Sequence, residues 1–207
     1  MQLENYYWCF REAIPLRVCD DIISYGKSLK EQKALTFGFS DNPDDMSLNQ
    51  KKELEKKRKS NVVWMNPLWI YKEIHPLIHQ ANRDAGWNFQ WDWTESCQFT
   101  KYKLNQYYDW HTDAGSTPYN KPNDFNSHGK IRKLSATISL VDGSEYEGGD
   151  LELDFRNKEE NDPHTIKNLR KKGSIVIFPS FVWHRVTPVT SGQRYSLVCW
   201  NLGQPYV

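Results

Sequence analysis

The chain has 207 residues, enough for one substantial core and too few for two independent domains of ordinary size. Lys plus Arg number 27 against 26 Asp plus Glu, and a net charge of +1 gives no global reason to expect nucleic acid or an anionic membrane as partner. Hydrophobic residues make up only 38%, but aromatic residues reach 14% and supply large buried area per side chain. The four cysteines, Cys9, Cys19, Cys97 and Cys199, form no CxxC pair and match neither a zinc site nor a disulfide framework. Met1-Gln-Leu-Glu-Asn has no basic and apolar leader, and no apolar run approaches the ~18 residues a membrane span needs. The expectation is a soluble, cytoplasmic protein with reduced thiols and no membrane partner.

Helical signals come first. Asp20 and Asp21 precede Ile22, Ile23 and Leu29, a short amphipathic pattern with acid at its start. The mixed-sign run from Lys51 to Lys59 reads as a solvated loop or an exposed helix. Asn66-Pro67 then reads as N-cap and first position of a further helix, whose residues Ile70, Ile74, Leu77, Ile78 and Ala81 share one face. Pro76 predicts a kink or two abutting helices, and Gly86 a stop. His75 and His79 could grip a metal from one helical face, but no third ligand stands near in sequence, so they read as surface or packing residues.

From Asn88 the grammar changes to strands. Beside Asn61 to Met65, the candidates are Phe89 to Lys103, Tyr108 to Thr112, Leu134 to Val141, Leu151 to Phe155, Ser174 to Phe178, Arg185 to Val189 and Arg194 to Asn201. Beta-branched and aromatic residues fill them, and glycines and Pro179 punctuate them. The fold class expected is mainly β with flanking N-terminal helices, a sandwich or jelly roll closing around a pocket. A single domain over residues 1–207 is expected, with helical support to about residue 87 and the catalytic core from about 88. Residues Gly115 to Lys133 exceed an ordinary hairpin loop and read as a mobile segment beside the site.

His111-Thr112-Asp113, answered downstream by His184, carries the chemistry. Two imidazoles and one carboxylate can occupy one face of an octahedral metal and leave three positions open, the pattern of a non-haem Fe(II) oxygenase. In a strand, period-2 alternation points His111 and Asp113 to one face. Arg194 stands ten residues after His184 and shares a strand face with Ser196, Val198 and Trp200. A guanidinium there suits an organic acid, and Tyr102 is a candidate to add a phenol to the same carboxylate. Two histidines and an acid also suit Zn²⁺, so a zinc hydrolase or isomerase on a cupin-like barrel stays open at this point. So does a binding protein without activity.

Tyr102-Lys-Leu-Asn-Gln-Tyr-Tyr-Asp-Trp-His111-Thr-Asp113 resembles the YxxGxxYxxHxD element of the prolyl-4-hydroxylase-like 2-oxoglutarate/Fe(II) dioxygenases. Arg132 to Leu140, Gly148 to Leu153, Lys172 to Pro179 and His184 to Val189 resemble the family's following segments, with Arg194 completing the set. The resemblance covers roughly residues 60 to 202 and is nearest the bacterial PKHD-type hydroxylases. It implies a double-stranded β-helix, Fe(II), 2-oxoglutarate and O2 as the cofactor set with ascorbate as an optional addition, and hydroxylation of a substrate C–H bond. By position, His111, Asp113 and His184 would hold iron, and Arg194 with Tyr102 would hold 2-oxoglutarate. One departure is Asn105, where the family has Gly; Asn tolerates the left-handed backbone such a turn needs.

For the substrate the expectation is a peptide or protein side chain, proline first, with a free amino acid or small metabolite as the alternative. Tyr108, Tyr119, His128 and Trp200 are candidates for substrate contact, and Phe125 in the long loop is another. Dioxygenases acting on alkylated nucleic acid carry a second arginine six residues after the first, where this chain has Trp200. Nucleic acid is therefore not expected as a partner.

Overall fold

A computed structural model describes residues 3–35, 46–156 and 163–206. Met1 and Gln2, the start of the segment read above as lacking a leader, lie outside the described residues. In chain order the elements are β1 (Trp8–Phe10), α1 (Leu16–Ser28), β2 (Gln32–Lys33), α2 (Leu48–Lys57), β3 (Arg58–Lys59), β4 (Asn61–Met65) and α3 (Leu68–Asp84). Next come β5 (Trp93–Thr94), β6 (Cys97–Tyr102), β7 (Tyr107–His111), β8 (Ile131–Ser139), β9 (Tyr146–Gly148), β10 (Leu151–Asp154) and β11 (His164–Thr165). The last are β12 (Ile175–Pro179), β13 (Trp183–Val186), β14 (Val189–Gly192) and β15 (Arg194–Gly203).

Strands β6 to β15 wind a double-stranded β-helix. The larger sheet has the order β1-β12-β8-β15-β6-β4-β2, with β5 also on β15, and the smaller has β11-β10-β13-β7-β3. The chain crosses between them repeatedly, from β6 to β7, back to β8, across to β10 and β11, back to β12, across to β13 and back to β15. Every pairing among the described residues is antiparallel. The two sheets enclose one core of Leu151, Leu153, Val176, Phe178, Val182 and Val186. A second core forms where α1 and α3 cover the outer face of the larger sheet.

The helix α3 buries Ile70, Ile74, Ile78 and Ala81, all at most 1% exposed, along the expected face. Each buried isoleucine contributes about 1.5–3 kcal/mol. Leu197 and Cys199 of β15 meet that face from the sheet. The helix runs unbroken through Pro76, which sits on its exposed side together with Lys72, so water can satisfy the carbonyl that proline leaves without a donor. Helix α1 begins at Leu16, earlier than the acidic pair suggested. Asp20 and Asp21 lie within it and pair with Lys172 and Arg17, so they tie down the surface and do not start the helix. At Gly26 an added Cβ would lie 2.7 Å from the Phe99 ring, so this position lets α1 approach β6.

Four expectations change in detail. Besides the expected strand Asn61–Met65, three further strands lie in the helical half, where β1 and β2 extend the larger sheet and β3 extends the smaller. The Lys51 to Lys59 run is an exposed helix up to Lys57, started by a capping box between Ser47 and Gln50; its last two residues then turn inward as β3 against β7. The segment Arg185 to Val189 is two strands, since Pro188 offers no backbone N–H to a ladder. The long loop is shorter than expected, since Ile131 to Lys133 already belong to β8. It is closed at its base by the bonds from Tyr119 N to Lys130 O and from Gly129 N to Tyr119 O, both 2.9 Å.

Asn105 adopts φ +59° in the turn between β6 and β7, where its N–H reaches Val189 O at 2.8 Å. The left-handed turn therefore forms with Asn in the place of Gly. Asn105→Val is expected to lower stability by about 1–2 kcal/mol, while Asn105→Gly changes it by less than about 1 kcal/mol. Urea midpoints of the two variants check this, and equal losses would contradict the role given to the left-handed backbone.

Candidate functional site

The register of β13 on β7 sets His184 directly opposite His111. Asp113 follows the end of β7, and its backbone N–H is fixed by Ser180 O at 2.9 Å. His111 Nε2 lies 3.8 Å from Asp113 Oδ1, and His184 Nε2 lies 3.4 Å from Asp113 Oδ2. Within 4.8 Å of one another these three residues offer one ligand atom each, the one such group of His, Cys, Asp or Glu among the described residues.

Each imidazole is locked from behind by the backbone carbonyl two residues before it. His111 Nδ1 donates to Asp109 O at 2.7 Å, and His184 Nδ1 to Val182 O at 2.9 Å. A carbonyl can only accept, so each ring carries a proton on Nδ1 and faces the carboxylate with Nε2. Ser135 Oγ donates to Asp113 Oδ2 at 2.7 Å and itself contacts Ser180 Oγ at 2.9 Å, fixing the carboxylate as well. Burial, and then the neighbouring His184, hold His111 well below the usual imidazole range. Burial alone would push the Asp113 carboxyl up, but attraction from His184, its contact with that ring and His111 together hold it below the usual carboxylate range. Neutral imidazole with ionised carboxylate is the protonation state a divalent cation requires, so the donor set fits a metal.

The larger sheet forms the opposite wall. Arg194, Ser196, Val198 and Trp200 all line the cavity, as the alternation along β15 requires. Arg194 is 2% exposed and donates through Nη1 to Ser196 Oγ at 3.2 Å. Its guanidinium lies 5.3 Å from the ring centre of Tyr102, its cross-strand partner on β6. No described carboxylate pairs with it. A buried cation in this condition is costly unless an anion arrives, so the cavity has a ready place for a carboxylate beside the metal ligands.

The structure thus brings His111, Asp113, His184, Arg194, Tyr102, Tyr108 and Trp200 around one cavity. Tyr108 stacks on His111 with ring centres 3.4 Å apart, and burial pushes its phenol up to about 12. Tyr119 does not line the cavity; it lies against Glu95, which pairs with Arg132 at 2.6 Å. His128 is exposed and accepts a bond from Lys121 N at 3.1 Å, and Phe125 is 89% exposed, so neither reaches the cavity. His75 packs on Trp91 and contacts Thr94 Oγ1 at 3.0 Å, and His79 stacks on the same Trp91.

Sequence reasoning missed Arg58, Gln98, Ser135 and Ser180. Arg58 is 6% exposed, and its nitrogens engage Ser60 Oγ, Leu35 O and Gln98 Oε1 while its guanidinium sits 4.3 Å from the Tyr108 ring centre. The alternation of Arg58, Ser60 and Val62 was the available signal, hidden by the charge run before it. Ser135→Ala removes a support of Asp113 and is expected to weaken divalent-metal affinity about 10–100-fold. Calorimetric titration checks this, and undiminished affinity would show that Ser135 does not orient the carboxylate.

Comparison with known proteins gives the same region a family. The family described as the 2OG-Fe(II) oxygenase superfamily matches residues 97–201. A PKHD-type hydroxylase of Synechococcus sp. (strain CC9311) is 48% identical over 67 residues, 32% of this chain and 28% of that protein. Another, from Psychrobacter sp. (strain PRwf-1), is 35% identical over 107 residues, 49% of this chain and 36% of that protein. The chain therefore spans well under half the length of these curated relatives. Among solved structures, a viral collagen prolyl hydroxylase of Paramecium Bursaria Chlorella virus-1 aligns with TM-score 0.65 at 19% identity, covering 97% of both chains. A Pseudomonas putida prolyl-4-hydroxylase aligns with TM-score 0.63 at 17% identity, covering 98% of this chain and 95% of that one. A prolyl hydroxylase from Trichoplax adhaerens, in complex with a hypoxia inducible factor oxygen degradation domain peptide fragment, aligns with TM-score 0.64 at 16% identity, covering 96% and 84%. At such identities these structures establish the double-stranded β-helix fold. The family match takes in all three candidate metal ligands and Arg194 over half of the chain, and by it this protein belongs to the 2OG-Fe(II) oxygenase superfamily.

Proposed function

We propose that the protein is a 2-oxoglutarate-dependent dioxygenase that hydroxylates a peptidyl side chain, proline first among candidates. The single observation that carries this is one cavity holding both a His-Asp-His ligand set and a buried guanidinium with no described carboxylate partner. In this reading His111, Asp113 and His184 hold Fe(II), while Arg194 and Tyr102 hold the distal carboxylate of 2-oxoglutarate. The bound iron, 2-oxoglutarate and O2 together supply the oxidising power that converts C–H to C–OH, with succinate and CO2 as coproducts.

The chain's own residues do the positioning. Arg194 anchors the cosubstrate from the larger sheet, and the smaller sheet presents the metal ligands, so the separation of the sheets sets where the cosubstrate meets the metal. The apolar walls from Leu151, Val186 and Val198 keep water out and strengthen the charge pairing within. Asp113 stays ionised and His111 neutral at pH 7, so metal binding releases no proton from either.

The zinc-hydrolase reading leaves Arg194 without a purpose, and the family match favours iron. Peptide as substrate draws support from the Trichoplax relative in fold, which was solved with a peptide fragment. A net charge of +1 and Trp200 in place of a second arginine weigh against nucleic acid. The reading treats the helices and both sheets as one catalytic domain. It places the protein in the cytoplasm, in keeping with four unpaired cysteines. Among the described residues no helix is long and apolar enough to cross a membrane.

With Fe(II), 2-oxoglutarate and O2 the protein is expected to form succinate, slowly without a primary substrate and faster with proline-containing peptides, which gain 16 Da as one oxygen atom enters. His184→Ala is expected to abolish succinate formation; undiminished turnover would remove His184 from the ligand set. Demethylation of alkylated oligonucleotides with no peptide oxidation would overturn the peptide class. Arg194→Ala is expected to weaken 2-oxoglutarate binding by about 2–5 kcal/mol, the cost of separating a buried charge pair. An unchanged affinity would contradict the assignment of Arg194 to the cosubstrate.

A further inference from the structure

Trp200 Nε1 is a buried donor with no acceptor among the described residues, and the indole that carries it lines the cavity. The other side-chain atom in this condition, Tyr206 Oη, does not line the cavity; its ring packs against Phe89 and Phe181. Buried N–H groups are seldom left without a partner, because water is lost and nothing replaces it. Trp200 also sits beside the metal-binding residues: its cross-strand partner on β8 is Ser135, which donates to Asp113.

The indole is held in place. It is 5% exposed, and the Arg132 guanidinium lies 3.9 Å from its ring centre. Arg132 is in turn clamped through Nε and Nη2 by Glu95 Oε2 at 2.7 and 2.6 Å. On β4, outside the segment matched by the family, Trp64 lies with its ring centre 6.0 Å from that of Trp200 and is 44% exposed. The two indoles make an apolar shelf from the cavity to solvent, with one unused donor at its inner end.

We infer that Trp200 Nε1 donates a hydrogen bond to a neutral backbone carbonyl of the primary substrate, whose neighbouring residue rests on the shelf formed with Trp64. This deepens the hydroxylase reading above and rests on it. The acceptor is not the cosubstrate carboxylate. Arg194 and Trp200 are six residues apart on one extended strand, about 20 Å along it, and Arg194 is the cavity cation that has no described carboxylate and donates to Ser196 through Nη1. At the Trp200 end Arg132 is already paired with Glu95, and all three nitrogens of Arg58 are engaged by Ser60, Leu35 and Gln98. Lys133 on β8 has its ammonium 3.5 Å from the Tyr206 ring centre and does not line the cavity, so a carboxylate would find no unspent cation in the cavity at that end, whereas an amide carbonyl needs only the N–H. A capped or internal residue of a peptide suits this end better than a free amino acid.

The test is a nuclear magnetic resonance titration of protein uniformly labelled with 15N, loaded with Zn(II) as a diamagnetic stand-in and with 2-oxoglutarate. Trp200→Phe, which keeps a ring and deletes the donor, assigns the Trp200 signal; should that variant not fold, contacts to Arg132 side-chain protons assign it. Adding N-acetyl-proline methylamide is expected to move the Trp200 indole signal downfield, while free proline leaves it in place. A move on adding 2-oxoglutarate alone would overturn the inference by giving the donor to the cosubstrate. So would an equal move with free proline, or no move with the capped compound. Zn(II) and 2-oxoglutarate report on the underlying reading separately, since failure to perturb the His111 and His184 imidazole signals would sink that reading itself. In turnover, Trp200→Phe is expected to raise the KM for a proline-containing peptide about tenfold, as loss of one buried hydrogen bond does. An unchanged KM would count against the inference.

Discussion

The antiparallel register of β13 on β7 is the constraint on which the rest of the site depends. It places His184 against His111, and a one-residue slip would turn one imidazole to the outer face of the sheet. A bulge follows at once, between the His184 and Val186 pairings, and it lets Tyr108 and His111 both reach the cavity. A backbone carbonyl two residues before each imidazole in sequence then fixes it, Asp109 O within β7 and Val182 O just before β13. The metal-facing nitrogens are thus set by backbone geometry, which is stiffer than a side-chain network.

Strand β15 links this site to the stability of the whole chain. Its outer residues Leu197 and Cys199 pack beneath the helices, and its inner residues Arg194, Ser196, Val198 and Trp200 line the cavity. The close approach of α1 at Gly26 presses on Phe99 of β6, the strand that pairs with β15 and carries Tyr102. Helix packing therefore holds the wall that positions Arg194, although among the described residues no helix contributes to the cavity lining. The same strand that anchors the proposed cosubstrate offers, at its far end, the donor assigned to the primary substrate.

Much of this was legible in the sequence, for physical reasons that can be named. Alternation along Arg194 to Trp200 placed the right residues on the inner face, because a strand period of 2 admits few errors over four residues. The α3 face was readable from its isoleucines, and the left-handed turn at Asn105 from the residue's tolerance of positive φ. What stayed hidden depends on contacts between distant segments. Arg58 enters the cavity only because β3 turns inward to pair with β7, and the charged run before it pointed to solvent. Ser135 and Ser180 matter through one another and Asp113, a relation with no local signature. His128 and Phe125 lay in a loop correctly placed next to Asp113 in sequence, yet the loop folds on itself through Asp124, Lys121 and Tyr119 and keeps both outside.

The central claim is that the triad and Arg194 act as one site, so that metal and 2-oxo acid bind together in a single cavity. Anaerobic titration with Fe(II) and then 2-oxoglutarate, followed by visible absorption, tests it most directly. A weak charge-transfer band that appears only when both are present, saturating at one equivalent of each, is the result the account predicts. Binding of the metal with no band on adding the 2-oxo acid would contradict it.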